Sequence, residues 1–223
     1  MGALADRASV ITSAPAHSGD ADDSLGATLG AYRTWLRERD VTTYNFVEVE
    51  AAGIDAAIDS GARLLVLRTE LGDSVAERAL IALLTGAEAN AVVPQPSGMT
   101  DAAWMAQVIL VRDHVVDLRA HQGDIEALLD TVPGATDVAR ALLTASARRT
   151  PVLLEGLSVW ASAVAVDRLS FRAKTWWHGA GTSSDPAIQA AVTRIGIDPG
   201  LDLGLPSQSV IGARVHAAMI EID

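Results

Sequence analysis

Glu155 follows the apolar run Val152–Leu154 and directly precedes Gly156, with Ser158 two residues on. Three apolar residues bounded by Pro151 and Gly156 are too few for a helix and predict a buried parallel strand. Ser158 is then placed to cap the Ala/Val-rich helix that follows, which is apolar nearly all round. A carboxylate at the C-terminal end of a strand, facing a helix N-terminus, stands where open α/β sheets build ligand sites. There it can act as an acid or a base. The same residues also fit a plain strand–helix unit with a satisfied acidic turn residue. A second strand-to-helix passage, R-T-E-L-G-D-S-V-A-E from Arg68 to Glu77, offers Gly72 and the backbone amides of Asp73 and Ser74 as a phosphate cradle. An ordinary N-cap reads the same way, and Asp73 itself repels a phosphate. His17 follows the first strand at a ligand-facing position, although a loop histidine is as a rule simply solvated.

These groups need a scaffold, and the pattern of the chain supplies one. Strands are predicted at Ala8–Ala14, Thr42–Val49, Arg63–Leu67, Val152–Leu154 and Thr175–Trp177. Helical spacing marks Leu25–Arg39, Ile54–Ala62, a segment capped by Asp73 or Ser74 and running to Leu84, and one capped by Thr100 or Asp101. Trp104, Val108, Val111 and Val115 give that last helix its core face. Gly123–Val132, Asp137–Ala147, Ala187–Ile195 and Gly212–Ile222 complete the helices. Val92–Met99 and His178–Pro186 read as loops. The alternation predicts a single α/β domain, doubly wound, with a mostly parallel sheet of five or six strands flanked by helices. The ends of those strands should line one crevice and bring Glu70, Glu155 and His178 to the same edge.

Composition narrows the chemistry. The 223 residues carry a net charge of −11, which argues against a nucleic-acid groove or an anionic membrane surface. Without cysteine there is no thiolate catalysis and no cysteine-ligated metal. No signal-peptide pattern or membrane-length apolar run is present, so a cytoplasmic protein is expected.

The motifs S-G-M-T-D-A-A-W-M from Ser97, A-R-R-T-P-V-L-L-E-G-L-S-V, S-S-D-P, I-G-I-D-P-G-L-D-L-G-L and the closing I-G-A follow one another in a set order. With D-S-G-A-R-L-L-V-L-R-T-E-L-G-D-S-V and A-L-I-A-L-L-T-G upstream, the chain resembles the nicotinate-nucleotide–dimethylbenzimidazole phosphoribosyltransferase family of cobalamin lower-ligand assembly. The resemblance covers some two thirds of the chain, with Ala8–Glu50 matching more loosely. It implies a homodimer that moves the phosphoribosyl group of nicotinate mononucleotide onto a benzimidazole nitrogen, with inversion and without metal or other cofactor. It also implies a small-molecule nucleotide or azole ligand contacted by His17, Glu70, Gly72, Asp73, Ser74, Ser97, Gly98, His178, Ser183, Asp185 and Gln208.

The chain departs from that family at each working part. Where the family's last glycine-rich stretch carries its glutamate base, this chain reads Q-S-V-I-G-A and places Ser209, which needs an activating partner to serve as a base. The phosphate loop Glu-Met-Gly-Ile-Gly-Asn-Thr-Thr is represented by E-L-G-D-S-V-A-E, without the Asn-Thr-Thr donors. The loop Gly-Arg-Gly-Thr-Gly has become P-Q-P-S-G, whose Pro94 and Pro96 lack N–H donors, and Gln107 stands at the expected lysine. The family's leading helical segment and the benzimidazole-contacting stretch beyond His17 find little counterpart. Three readings follow: a member inactive or altered in the family reaction, an active enzyme with Glu155, Glu70 or Asp185 as relocated base, or a non-catalytic subunit paired with a full-length paralogue. Segments absent from the sheet's cover also predict a homodimer or a heterodimer with such a paralogue.

Overall fold

The computed structural model describes residues 8–12, 47–49, 53–68 and 74–202. Among these residues five strands form one sheet: β1 (Ala8–Thr12), β2 (Val47–Val49), β3 (Leu64–Arg68), β4 (Val152–Glu155) and β5 (Trp177–Gly179). Their order is β2-β1-β3-β4-β5, and every neighbouring pair is parallel. The expected parallel α/β architecture is therefore present. The direction of winding changes between β1 and β3, the place where such sheets open a crevice at their C-terminal edge.

Strand alternation sends successive side chains to opposite faces. Leu65, Leu67, Val152, Leu154 and Trp177 join the main core, whereas Leu64, Val66, Leu153 and Ala180 form a second buried cluster. Eight helices contribute to the main core among the described residues: α1 (Ile54–Asp59), α2 (Ser74–Thr85), α3 (Ala89–Val92), α4 (Asp101–Leu118), α5 (Ile125–Asp130), α6 (Ala135–Ala147), α7 (Leu157–Leu169) and α8 (Pro186–Ile195). The central one is α7, buried from Ser158 to Asp167 and packed against α2, α6 and α8. Its alanines let neighbours approach closely, which explains how a chain poor in aromatics fills its interior. No described helix is long and apolar enough to cross a membrane.

Local signals set most element ends. Thr100, Asp124 and Asp185 cap α4, α5 and α8, accepting from the amides of Ala103, Ala127 and Ala187 at 3.2, 3.0 and 2.9 Å. Three expectations are corrected. The strand expected at Thr175–Trp177 is Trp177–Gly179, because Ala173–Trp176 closes a 3-10 turn first. The loop expected from Val92 is preceded by the short helix α3. Ser158 does not cap α7; Gly156 does, at φ 88° and ψ 157°, and the helix begins at Leu157. That backbone conformation is open in practice only to glycine. The helices expected at Leu25–Arg39 and Gly212–Ile222 lie outside the described residues.

Candidate functional site

Glu155 ends β4, in register with Arg68 at the end of β3. Both stand on the face of the second cluster, cross-strand neighbours of opposite charge. Glu155 is only 5 % exposed, and its Oε2 has no hydrogen-bond partner among the described residues. Burial pushes its carboxyl up to about 8, against the downward pull of Arg68. A carboxyl so placed exchanges its proton near neutral pH, as an acid–base group must.

Beside it, on the helical face, the first turns of α2 and α7 meet. The Ser158 hydroxyl donates to Oε1 of Glu77, and both residues are buried, Glu77 to 2 % exposure. Glu77 was not among the residues singled out by sequence. Its signal was faint: a carboxylate in the opening turn of a helix is usually a favourable dipole contact at the surface.

The next turn of α2 ties the rim together. Arg78 donates to the Val92 carbonyl at 2.6 Å and to both oxygens of Asp185 at 2.8 and 2.6 Å. Asp185 also caps α8, and its amide bonds the Ser183 hydroxyl at 3.1 Å. With both oxygens taken by three donors, Asp185 is a brace between α2, α3 and α8 rather than a free base. Because Val92 is held there, the 94–98 loop leaves from the same rim. Ser97 and Gly98 are exposed in it, next to a turn in which the Met99 amide donates to the Pro96 carbonyl at 3.0 Å.

His178 pairs with Leu153, one step below the Glu155 level, on the same face as Glu155. Its side chain is exposed. Ser74 opens α2 and is exposed. His17, Glu70, Gly72, Asp73, Gln208 and Ser209 lie outside the described residues. Thus Glu155, Arg68, Glu77, Ser158, Arg78, Ser183 and Asp185 belong to one edge, with Ser97 and Gly98 in the loop leaving its rim.

A family profile described as Phosphoribosyltransferase matches residues 40–222. Curated relatives of the expected family match most of the chain. A nicotinate-nucleotide–dimethylbenzimidazole phosphoribosyltransferase of Mycobacterium ulcerans is 33 % identical over 205 residues, covering 86 % of this chain. The protein of that name from Mycobacterium tuberculosis is 34 % identical over the same share. The chain belongs to this phosphoribosyltransferase family. It spans 57 % of the length of either relative. Among solved structures it is similar to CobT from Thermus thermophilus, with a TM-score of 0.74 at 16 % identity, over 97 % of this chain and 82 % of that one. That likeness carries the fold.

Proposed function

We propose that this chain is a phosphoribosyltransferase-family protein altered at its phosphate grip, which keeps a small-molecule site but does not form α-ribazole phosphate. The observation that carries this reading is Glu77, a buried carboxyl bonded to Ser158 where the family resemblance calls for a phosphate donor. A phosphate ester brought to the start of α2 meets a buried carboxyl instead of a hydroxyl donor. Ser209 in place of the family's glutamate and prolines at 94 and 96 support the same reading from sequence.

Nicotinate mononucleotide and dimethylbenzimidazole supplied to the purified chain should give less than about one per cent of the α-ribazole phosphate made by a full-length family enzyme. Loss of a general base costs about a hundred- to ten-thousand-fold. Loss of a key electrostatic contact costs about a hundredfold or more. Turnover above that level would overturn the reading.

A second reading is favoured by Glu155, whose unpartnered oxygen and proton affinity near neutrality suit a relocated base. It requires turnover in the same assay and its loss in Glu155→Gln. In either reading we propose that two copies pair through α4. Met105, Ile109 and Val116 are 48, 40 and 55 % exposed on one stripe of that helix. With Arg112 they follow the four-three-four spacing of a helix seam. An antiparallel second copy sets Met105 against Val116 and Ile109 against the Arg112 stem, so the stripe is its own complement.

A further inference from the structure

We propose that the cavity between the last turns of α2 and α4 is a second ligand site, which takes an elongated organic dianion: two carboxylates joined by an apolar body. It does not rest on the reading of the sheet edge. That edge lies at the start of α2, and the 12 residues of the helix put about 18 Å between it and the cavity. The cavity measures about 580 Å³, with Ala82, Leu83 and Ala87 on one wall. Arg112, Val115, Val116 and Arg119, from α4 and the 3-10 turn that continues it, form the other. Its size is that of a small-molecule site. It stays open because the facing residues are small. Gly86 turns the chain there at φ 79°, and nothing stands within 4 Å of where a side chain on it would begin.

Charge lies at the ends of this wall and apolar surface in its middle. Arg112 and Arg119 are two helical turns apart, so their stems leave the same side of the helix with about 10 Å between them. Val115 and Val116 fill that interval. Arg112 and Val116 also border the outward stripe of α4; the cavity lies on the inner side, where Val115 packs against the core. Arg119 makes no ion pair among the described residues. Arg112 pairs with Asp113 at 2.8 Å, both of them exposed, a contact that an incoming carboxylate displaces at little cost. The end of α2 does not occupy these donors either. Its Ile81 carbonyl accepts from the Thr85 hydroxyl at 2.7 Å, Ala82 from the Gly86 amide at 2.9 Å and Leu84 from Arg168 at 2.8 Å. Glu88 also lines the cavity and repels an anion, so one guanidinium alone gains little and the two act together. Each guanidinium fork fits a carboxylate with two parallel bonds. A methylene chain laid across the valines joins the two carboxylates.

The test titrates octanedioate, octanoate and butanedioate calorimetrically into the full chain at low ionic strength. Octanedioate should bind with Kd below about 1 mM. The other two should bind at least about tenfold more weakly, octanoate for want of its second carboxylate and butanedioate for want of the span. Arg112→Gln and Arg119→Gln should each weaken octanedioate about tenfold. Arg140→Gln, which removes an exposed arginine of α6, should hold it within about threefold. The proposal is overturned if octanedioate does not bind at about 1 mM, if octanoate matches it, or if Arg140→Gln weakens it as much as Arg119→Gln does. Arg112 and Arg119 are exposed, so their variants should keep the wild-type melting transition. Should one fail to fold, the three probes on the wild type still decide. The turnover assay bears on the sheet edge alone, and its outcome leaves this site untouched.

Discussion

Burial holds the Glu155 carboxyl protonated up to about 8, with the Arg68 guanidinium pulling the other way. In the unfolded chain the same group releases its proton near the ordinary value of 4.5. Between those two values the folded state binds the extra proton. The contribution is therefore fully present below about 4.5 and is lost as pH rises through about 8. Each tenfold change in proton affinity is worth about 1.4 kcal/mol, so the loss amounts to a few kcal/mol at most. Thermal melts of the wild type from about pH 6 to pH 9 should show Tm falling relative to Glu155→Gln, in which nothing titrates at that position. Parallel curves for the two proteins would mean that the carboxyl is ordinary. Glu155 was legible in the sequence because a strand too short to be anything else ended on it. Glu77 was not, since its weight comes from a hydroxyl on α7, far away along the chain.

At the scale of elements, the Arg78–Asp185 pair binds the start of α2 to the start of α8. Its side chains are 11 % and 18 % exposed. Removing one partner of a buried pair costs about 3–5 kcal/mol, and this partial exposure lowers the expectation to about 2–4 kcal/mol. Asp185→Asn keeps a capping oxygen but loses the charge, so it should destabilise by that amount in urea titrations. Asp185→Ala should lose about 1 kcal/mol more with the cap. Asp137→Asn, which breaks only the exposed pair with Arg140, should stay within about 0.5 kcal/mol. If Asp185→Asn is equally mild, the brace is ornamental. The elements themselves were largely readable: Leu64–Leu67 and Val152–Leu154 are short apolar runs, and of the two caps open at the start of α4, Thr100 or Asp101, the structure uses Thr100. Ser158 was misassigned because capping preference is a local rule, while a distant carboxyl claims its hydroxyl. The two-residue displacement of β5 has a similar cause. Trp176 and Trp177 are alike in type, and only the register with Val152 decides which one enters the strand.

For the whole molecule, the outward stripe of α4 predicts association. Light scattering at micromolar concentration should give twice the mass of one chain, and Ile109→Glu should give the single mass with the thermal transition preserved. A wild-type single mass would reject self-pairing and direct the search to a paralogue. Periodicity named the inner residues Val108 and Val111 correctly. It was silent on the outer stripe, because helix rules alone do not say whether an exposed apolar residue has a mate.

The register of the sheet also fixes the order in which its edges can close as the chain is made. Leu65 lies beside Ser9 on one side and beside Val152 on the other. The first neighbour has left the ribosome before Leu65 is added; the second comes after all of α2–α6. At about 5–20 residues per second, adding the stretch between Leu67 and Val152 takes on the order of ten seconds. Throughout that interval the L-L-V-L edge of β3 awaits its partner, apolar and ready to pair with any passing strand. Slow translation over α2–α6 prolongs that exposure, whereas a holding chaperone that covers β3 shortens its effect.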